Sequence, residues 1–252
     1  MGEIIFRYRG QIPALILILA IPFLLCTKDI LINQTRLNFE YYSIILIFLG
    51  CFIRFYTIGF SYIETSGRNR NNHIAKKLNT TSMYSVSRNP LYFGNVLIWI
   101  GIILRTNNLF FLLLCVVIIF VMYYFIIKSE ETFLKNKFEY QYLVWKRKTP
   151  AFVPNFLLYK KSKNKFNYKS ILRREYSCVL AIFLTILYLD IIELFLLKQI
   201  TMINKFLLIS TIFIIFISIT LKYLRKNTTI LDDWFCRFKY ICKHYRRGSS
   251  GG

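Results

Sequence analysis

Apolar and polar residues are strongly segregated along this chain of 252 residues. Six apolar runs, two of them short, alternate with polar and mostly basic segments. About 20 helical residues cross a hydrocarbon layer about 30 Å thick, so runs of this length indicate transmembrane helices. The pattern therefore predicts an all-α integral membrane protein with about six transmembrane helices. The runs are residues 12–26, 41–61, 91–104, 109–127, 178–197 and 206–221.

The third and fourth runs are separated by very little chain, which contains Thr106, Asn107 and Asn108. Two helices joined by so short a connection must run antiparallel and turn at the same membrane face. We therefore predict a tight helical hairpin whose open end lies at the opposite face. The polar motifs discussed below flank that open end.

Basic residues are distributed unequally between the two sets of connecting segments. Of 34 Lys and Arg residues, 28 fall in one set and 5 in the other. Because Lys and Arg are retained on the cytosolic side, we expect both termini, the 62–90 loop and the 128–177 segment to be cytosolic. The expected location is a bacterial inner membrane, crossed several times, with a cytosolic cofactor pocket.

The chain is expected to divide at a Lys- and Asn-rich stretch. Residues 1–159 would form a four-span catalytic core and 160–177 a basic interfacial linker. Residues 178–247 would form a two-span appendage with a basic tail. The Gly- and Ser-rich end, 248–252, is typical of an expression-vector remnant.

The six cysteines contain no C-x-x-C pair and mostly lie in or beside apolar runs, so no disulfide framework is expected. Cys236, Cys242 and His244 lack a fourth ligand nearby, and no metal site is predicted.

Asn89 and Pro90 together indicate a helix start, because Asn caps free backbone N–H groups and proline suits the first helical position. The exposed N–H groups and the neighbouring Arg88 favour a carboxylate or phosphate ligand. The alternative is an interfacial arginine that contacts lipid phosphates beside an ordinary helix cap.

Glu130 and Glu131 lie just beyond the fourth apolar run. Two adjacent carboxylates close to hydrocarbon require a cationic partner. If the helix continues to about Tyr142, Lys135 is within reach of Glu131, and a solvated ion pair is the alternative to a ligand site.

A basic anion site and an acidic cation site on the two arms of one hairpin suit a zwitterionic amino acid. S-adenosylmethionine carries both groups, a sulfonium, and an adenine that tyrosines could stack against, although these arguments alone do not select it over other zwitterions. The candidate tyrosines are Tyr84, Tyr92, Tyr140 and Tyr142.

Four stretches in order, residues 78–95, 130–134, 140–142 and 149–154, carry a family resemblance. In their order and spacing, these stretches resemble the superfamily of isoprenylcysteine carboxyl methyltransferases and phospholipid methyltransferases. The resemblance covers about residues 41–175. Members of this superfamily are integral membrane enzymes. The resemblance implies S-adenosylmethionine as cofactor, with Arg88 and Glu131 as cofactor-binding and catalytic residues. It also implies that Asn89, Pro90 and Tyr92 line the pocket, that Glu130 holds the cofactor from the other arm, and that Tyr140 and Tyr142 close over it.

Two positions depart from this family pattern. Many relatives have His where Asn89 stands, so an acid–base role for that residue does not transfer. Relatives commonly have Gly where Ser82 stands, which predicts a loop of different shape before Tyr84.

No G-x-G-x-x-G motif joins a strand to a helix, so the chain does not resemble a soluble Rossmann-type methyltransferase, and helix ends and loops are expected to hold the cofactor. Methyl transfer requires the nucleophile, the methyl carbon and the sulfur to be in line and away from water. An oxygen nucleophile that is already ionised needs no base, whereas an ammonium must first lose a proton to one. The basic surroundings favour O-methylation of an acidic lipid group, a carboxylate or phosphate. The stretches 65–69 and 172–176 are similar to a bacterial branch that acts on lipid A phosphate. Arg173 and Arg174 are the predicted acceptor-binding residues.

Other readings remain open: a phospholipid amine N-methyltransferase, a transporter, or a non-enzymatic lipid-binding protein. A transporter would use Asp190 and Glu193 in the fifth run, although their depth favours snorkelling or an interhelix hydrogen bond, and the same holds for Arg54. The expected partners are the bilayer and a lipid or lipidated acceptor. Neither a nucleic acid nor an obligate protein partner is expected.

Overall fold

The computed structural model describes residues 12–26, 36–61, 77–196 and 204–231. The N-terminal arginines, the 65–69 stretch, Cys236, Cys242, His244 and the 248–252 tail lie outside these ranges. Within them the secondary structure is helical, without strands. Seven α-helices and one short 3₁₀ helix, Phe156–Leu158, are present in the described residues. The α-helices are α1 (Ile12–Cys26), α2 (Arg36–Phe60), α3 (Met83–Val86), α4 (Pro90–Leu104), α5 (Leu109–Lys148), α6 (Tyr168–Leu196) and α7 (Lys205–Asn227).

Four of the described helices, α2, α5, α6 and α7, are long and apolar enough to cross a membrane. Two shorter apolar helices correspond to α1 and α4. The protein is therefore a helical membrane protein, as the apolar runs predict. The number of crossings stays a prediction, because the 15 residues of α4 span only about 22 Å.

The helical hairpin is formed by α4 and α5, and its bounds match the apolar pattern. After Leu104 the chain turns through Asn107, which has a positive φ of 50°. Asn is one of the few residues that adopt this conformation readily. The Asn108 side chain accepts a hydrogen bond of 2.8 Å from the backbone N–H of Phe111, which caps the start of α5.

Glycines allow α2 and α4 to pack with their backbones in contact. A Cβ atom on Gly50 would lie 2.6 Å from the carbonyl oxygen of Gly94, and one on Gly101 would lie 2.8 Å from that of Ser43. Small residues at such crossings are a common device for packing helices in membranes. On the same face Arg54 extends over Gly94 and donates a hydrogen bond to the Asn95 side chain. The predicted interhelix hydrogen bond is thus present at Arg54.

The described residues fall into two compact units. The first contains the chain up to Lys165 and the end of α6 from Tyr188, and the second contains the start of α6 and α7. Helix α6 begins at Tyr168, ten residues before the fifth apolar run, so the second half of the predicted 160–177 linker is helical. In the second unit Arg225 approaches the Tyr176 hydroxyl at 3.4 Å.

Cys26, Cys51, Cys115 and Cys178 are free thiols. For these four cysteines the expectation of no disulfide framework is confirmed.

Candidate functional site

The hairpin brings the two charged motifs together at its open end. Arg88 lies two residues before α4, and Glu131 lies on α5 beyond the apolar run. Arg88 Nη2 and Glu131 Oε1 are 2.9 Å apart, with side-chain exposures of only 11% and 18%. The basic and acidic motifs are therefore directly paired with each other.

Arg88 is fixed from several directions. Its backbone N–H donates to the carbonyl of Pro150 at 2.9 Å, and its Nη1 donates to the carbonyl of Lys146 at 2.9 Å. Its Nε is buried and has no hydrogen-bond partner among the described residues. A guanidinium has five N–H donors, so this one retains a donor for a further acceptor.

Glu131 has a second cationic partner that the sequence did not indicate. Lys146 Nζ lies 2.8 Å from Glu131 Oε2. This contact depends on a break in α5 at Glu139, where φ is 38° and ψ is −110°. The break turns the end of α5 back towards its middle, and the observed partners of Glu131 are Arg88 and Lys146. The alternative, an ion pair between Glu131 and Lys135, is not found among the described residues.

Glu130, the other carboxylate, is engaged by Tyr92. The Tyr92 hydroxyl donates a hydrogen bond of 2.6 Å to Glu130 Oε1. The Tyr92 ring also packs on the Tyr123 ring, with centroids 5.0 Å apart. Glu131 therefore pairs with cationic side chains, whereas Glu130 accepts a hydrogen bond from a phenol.

Of the two tyrosines near the end of α5, only Tyr142 joins this cluster. Its ring is buried against Trp145, whose indole N–H donates to the carbonyl of Tyr84 at 3.0 Å. The Tyr142 hydroxyl is close enough to Glu131 and Arg88 to interact electrostatically with both. It makes no hydrogen bond of ordinary geometry among the described residues. Tyr140, next to the break, is 78% exposed, and its role in closing the pocket stays a prediction.

Asn89 occupies the predicted cap position, because α4 begins at Pro90. Its side chain does not cap the helix, and this part of the prediction is wrong. Asn89 Nδ2 donates instead to the carbonyl of Ala151 at 2.8 Å. The side chain therefore ties the start of α4 to the segment that follows α5.

A series of hydrogen bonds joins the loop before α4 to that segment. Ser82 N–H donates to the Lys160 carbonyl at 2.8 Å, Asn155 N–H to the Val86 carbonyl at 2.9 Å, and the Ser87 hydroxyl to the Phe152 carbonyl at 2.8 Å. Ser82 has a φ of 57° and a ψ of −137°, a conformation that glycine adopts without strain. The loop thus has a conformation that favours glycine although serine stands there, and a loop shape different from that of relatives stays a prediction.

Comparison with known proteins shows what this region is similar to. Residues 39–141 match the family model described as phospholipid methyltransferase. This segment is therefore similar to the phospholipid methyltransferase family. The matched segment carries the hairpin, Arg88, Glu130 and Glu131, while Tyr142, Lys146 and the predicted acceptor residues lie beyond it. The superfamily resemblance noted in the sequence is therefore confirmed.

A curated protein matches more distantly. The cobalt-zinc-cadmium resistance protein CzcN of Cupriavidus metallidurans is 29% identical over 135 residues, which are 52% of this chain. The chain covers 60% of the length of that relative. No solved structure matches.

Other charged residues of the protein lie away from this cluster. Arg173 and Arg174, on α6 in the second unit, are half-buried and engaged in contacts, so their role in acceptor binding stays a prediction. At the turn of the hairpin Arg105 Nη2 lies 2.6 Å from Asp190 Oδ1. The predicted interhelix hydrogen bond of Asp190 is confirmed. In the described part of the chain no group of three or more His, Cys, Asp or Glu side chains is arranged to hold a metal ion.

Three residues of the site, and the break in α5 that brings two of them there, were not predicted from the sequence. Lys146 and Trp145 reach the site only because α5 is broken at Glu139, and no Gly or Pro at that position indicates a break. Tyr123 lies within an apolar run and looked like an ordinary spanning residue. Its spacing of seven residues before Glu130, two helical turns on the same face, was the available signal.

Proposed function

We propose that this protein is an integral membrane methyltransferase that uses S-adenosylmethionine and O-methylates an acidic group on a membrane-embedded lipid or lipidated acceptor. The acceptor group would be a phosphate, such as that of lipid A, or a carboxylate. The observation that carries the proposal is the Arg88–Glu131 pair at the open end of a hairpin within the phospholipid methyltransferase segment. The active site and both termini are proposed to be cytosolic.

The residues at this place fit the cofactor. Its carboxylate requires a strong donor, and Arg88 retains a buried Nε–H without a partner. Its ammonium requires a carboxylate, which Glu131 supplies, with Glu130 one residue away. The Tyr142 hydroxyl adds a second buried polar atom without a hydrogen bond of ordinary geometry. A zwitterionic ligand would satisfy these groups in one step.

The remaining predicted contacts have a clear physical basis. Tyr92, which is half-buried, offers an aromatic face for the adenine, whereas the buried Tyr142 would contact the cofactor through its hydroxyl. Asn89, Pro90 and Tyr84 lie in the loop and helix start beside Arg88, and Tyr140 would join them only by moving from its exposed position. The cofactor would supply a methyl group on a positively charged sulfur. The protein's contribution is to align acceptor and donor and to exclude water.

The charge around the site favours an anionic acceptor. In the charged contact around Glu131, the cations Arg88 and Lys146 outnumber the single carboxylate. Between residues 140 and 174 the sequence contains ten Lys and Arg residues and no Asp or Glu. Arg173 and Arg174 end this stretch and are the proposed acceptor-binding residues. An oxygen nucleophile that is already ionised needs no general base in such surroundings.

A second candidate is N-methylation of a phospholipid amine. The description of the matched family is compatible with it, since it names phospholipids without restricting the group that is methylated. Glu130, hydrogen-bonded to Tyr92, is then the group that could accept the ammonium proton.

The experiment that separates these functions uses purified protein in lipid nanodiscs with S-adenosylmethionine labelled in its methyl group. Lipids are extracted, and the label is followed by mass spectrometry before and after mild base. A methyl carboxylate ester loses the label in mild base, whereas a methyl phosphate diester and an N-methyl group keep it. The fragment masses then show whether the retained label is on a phosphate or on an amine. Absence of label from every lipid and lipidated protein would contradict the proposal.

A further inference from the structure

The segment that follows α5 presents an apolar surface and then a basic one. Val153, Phe156 and Leu157 are all exposed, and Leu157 is 95% exposed. Four exposed lysines follow within nine residues of Leu157: Lys160, Lys161, Lys163 and Lys165. Large apolar side chains exposed next to cations are typical of protein surfaces that contact anionic membranes.

Phe152 shows how deep this segment lies. Its ring packs against Phe93 on α4 and Phe120 on α5, with centroids 5.7 and 5.6 Å apart. Phe120 is seven residues before the end of the apolar run at residue 127, a distance of about 10 Å along the helix. The segment therefore lies beside the apolar part of a helix that is long enough to cross the bilayer.

We propose that residues 153–165 form a lipid-surface contact. Val153, Phe156 and Leu157 enter the outer hydrocarbon, and the four lysines bind the phosphates of anionic lipids. Charge complementarity supports this occupant, because no acidic residue lies between 140 and 174 and each lysine near a membrane surface attracts anionic headgroups.

The same segment is attached to the loop that carries Arg88. Lys160 accepts from Ser82 N–H and donates its own N–H to the Ser85 hydroxyl, each at 2.8 Å. Asn155 N–H donates to the Val86 carbonyl, two residues before Arg88. The lipid contact would thus hold Arg88 at a fixed height relative to the lipid phosphates. This inference goes beyond the proposed function and does not require methyl transfer.

Tryptophan quenching by brominated acyl chains tests the apolar part. The full chain is placed in nanodiscs of mixed zwitterionic and anionic lipid, and the emission added by Leu157→Trp is measured over the three native tryptophans. We expect a loss of this emission when the acyl chains are brominated. Asn136→Trp, exposed on the polar part of α5, is the matched control and should lose none. Equal added emission from the Leu157→Trp variant in brominated and plain lipid would overturn the proposal.

Charge substitutions test the basic part. The four lysines are changed together to Gln or to Arg in the Leu157→Trp background. We expect quenching to be stronger in anionic than in neutral nanodiscs, with the difference lost in the Gln variant and kept in the Arg variant. A difference that persists in the Gln variant would show that the lysines do not bind the lipid. If the emission of the Leu157→Trp variant changed with protein concentration and not with bromination, the surface would contact a second copy of the chain. That result would contradict the lipid contact.

Discussion

Arg88 and Glu131 are separated by 43 positions in the sequence and form an ion pair of 2.9 Å across the open end of the α4–α5 hairpin. The pair is partly withdrawn from water, so both groups depend on each other and on their neighbours. Arg88 also donates to the Lys146 carbonyl, and Glu131 also accepts from Lys146 Nζ. These contacts predict how substitutions at Arg88 and Glu131 should change cofactor binding.

Arg88→Lys keeps the positive charge but removes the planar fork that contacts Glu131 and the Lys146 carbonyl simultaneously. We expect the affinity for S-adenosylmethionine to fall by about tenfold or more, because an ammonium does not replace bidentate guanidinium contacts. Isothermal titration calorimetry of the purified protein measures this. Arg147→Lys, at an exposed position near the end of α5, is the control and should bind as the parent does.

Glu131→Gln preserves the shape of the side chain and removes its charge, which leaves Arg88 and Lys146 facing each other without a carboxylate. We expect cofactor affinity to fall by about 10- to 100-fold, the range for loss of a charged hydrogen bond. Lys135→Gln discriminates between the observed pairing and a simple helical ion pair. If Lys135→Gln weakened binding as much as Glu131→Gln, the observed partners of Glu131 would be wrong.

Ser82→Gly should stabilise the fold by about 1 kcal/mol, because Ser82 has a positive φ that costs an L-residue about this much. Its backbone bonds to Lys160 and Ser85 remain available to glycine. Ser82→Val should destabilise, since a β-branched side chain tolerates this conformation poorly. The midpoint of thermal unfolding in detergent is the measurement, and equal midpoints for both variants would contradict the strained loop.

The Arg105–Asp190 pair should behave as a coupled unit. Either Arg105→Leu or Asp190→Leu leaves one charge partly buried without its partner, so each is expected to destabilise the protein. The double variant should be more stable than the sum of the single effects predicts, with a coupling of about 0.5–3 kcal/mol. Methyl transfer by the folded double variant should persist, because this pair lies at the turn of the hairpin and Arg88 at its open end. Substrate flux through liposomes that depends on Asp190 would favour the transporter hypothesis instead.

The sequence predicts the helices well because their signal is local. The apolar runs and the Asn-Pro pair predict a hairpin that starts at Pro90 and turns between residues 104 and 109. The structure has this start and this turn, and it continues α5 to Lys148. The partners of Glu131 were not predictable in the same way. They depend on a backbone reversal at Glu139, an ordinary helix former in a position that glycine would favour, so a regular helix and its i,i+4 pairs were the natural expectation.

Asn89 illustrates a second limit of prediction from the sequence. Helix capping is a local preference, and Asn next to Pro is a good cap by that criterion. In the structure the side chain bonds to Ala151, 62 residues away, because the segment after α5 returns to the start of α4. Such a return is a property of the tertiary fold, and no spacing within the motif encodes it.

The most direct test of the account is a thermodynamic cycle between ligand and protein. The affinities of S-adenosylmethionine and its decarboxylated analogue are measured by calorimetry for the parent and for Arg88→Lys. If Arg88 holds the carboxylate, removing that group from the ligand weakens binding to the parent strongly and binding to the variant little. An equal loss in both proteins would contradict the assignment of Arg88 and, with it, the proposed cofactor site.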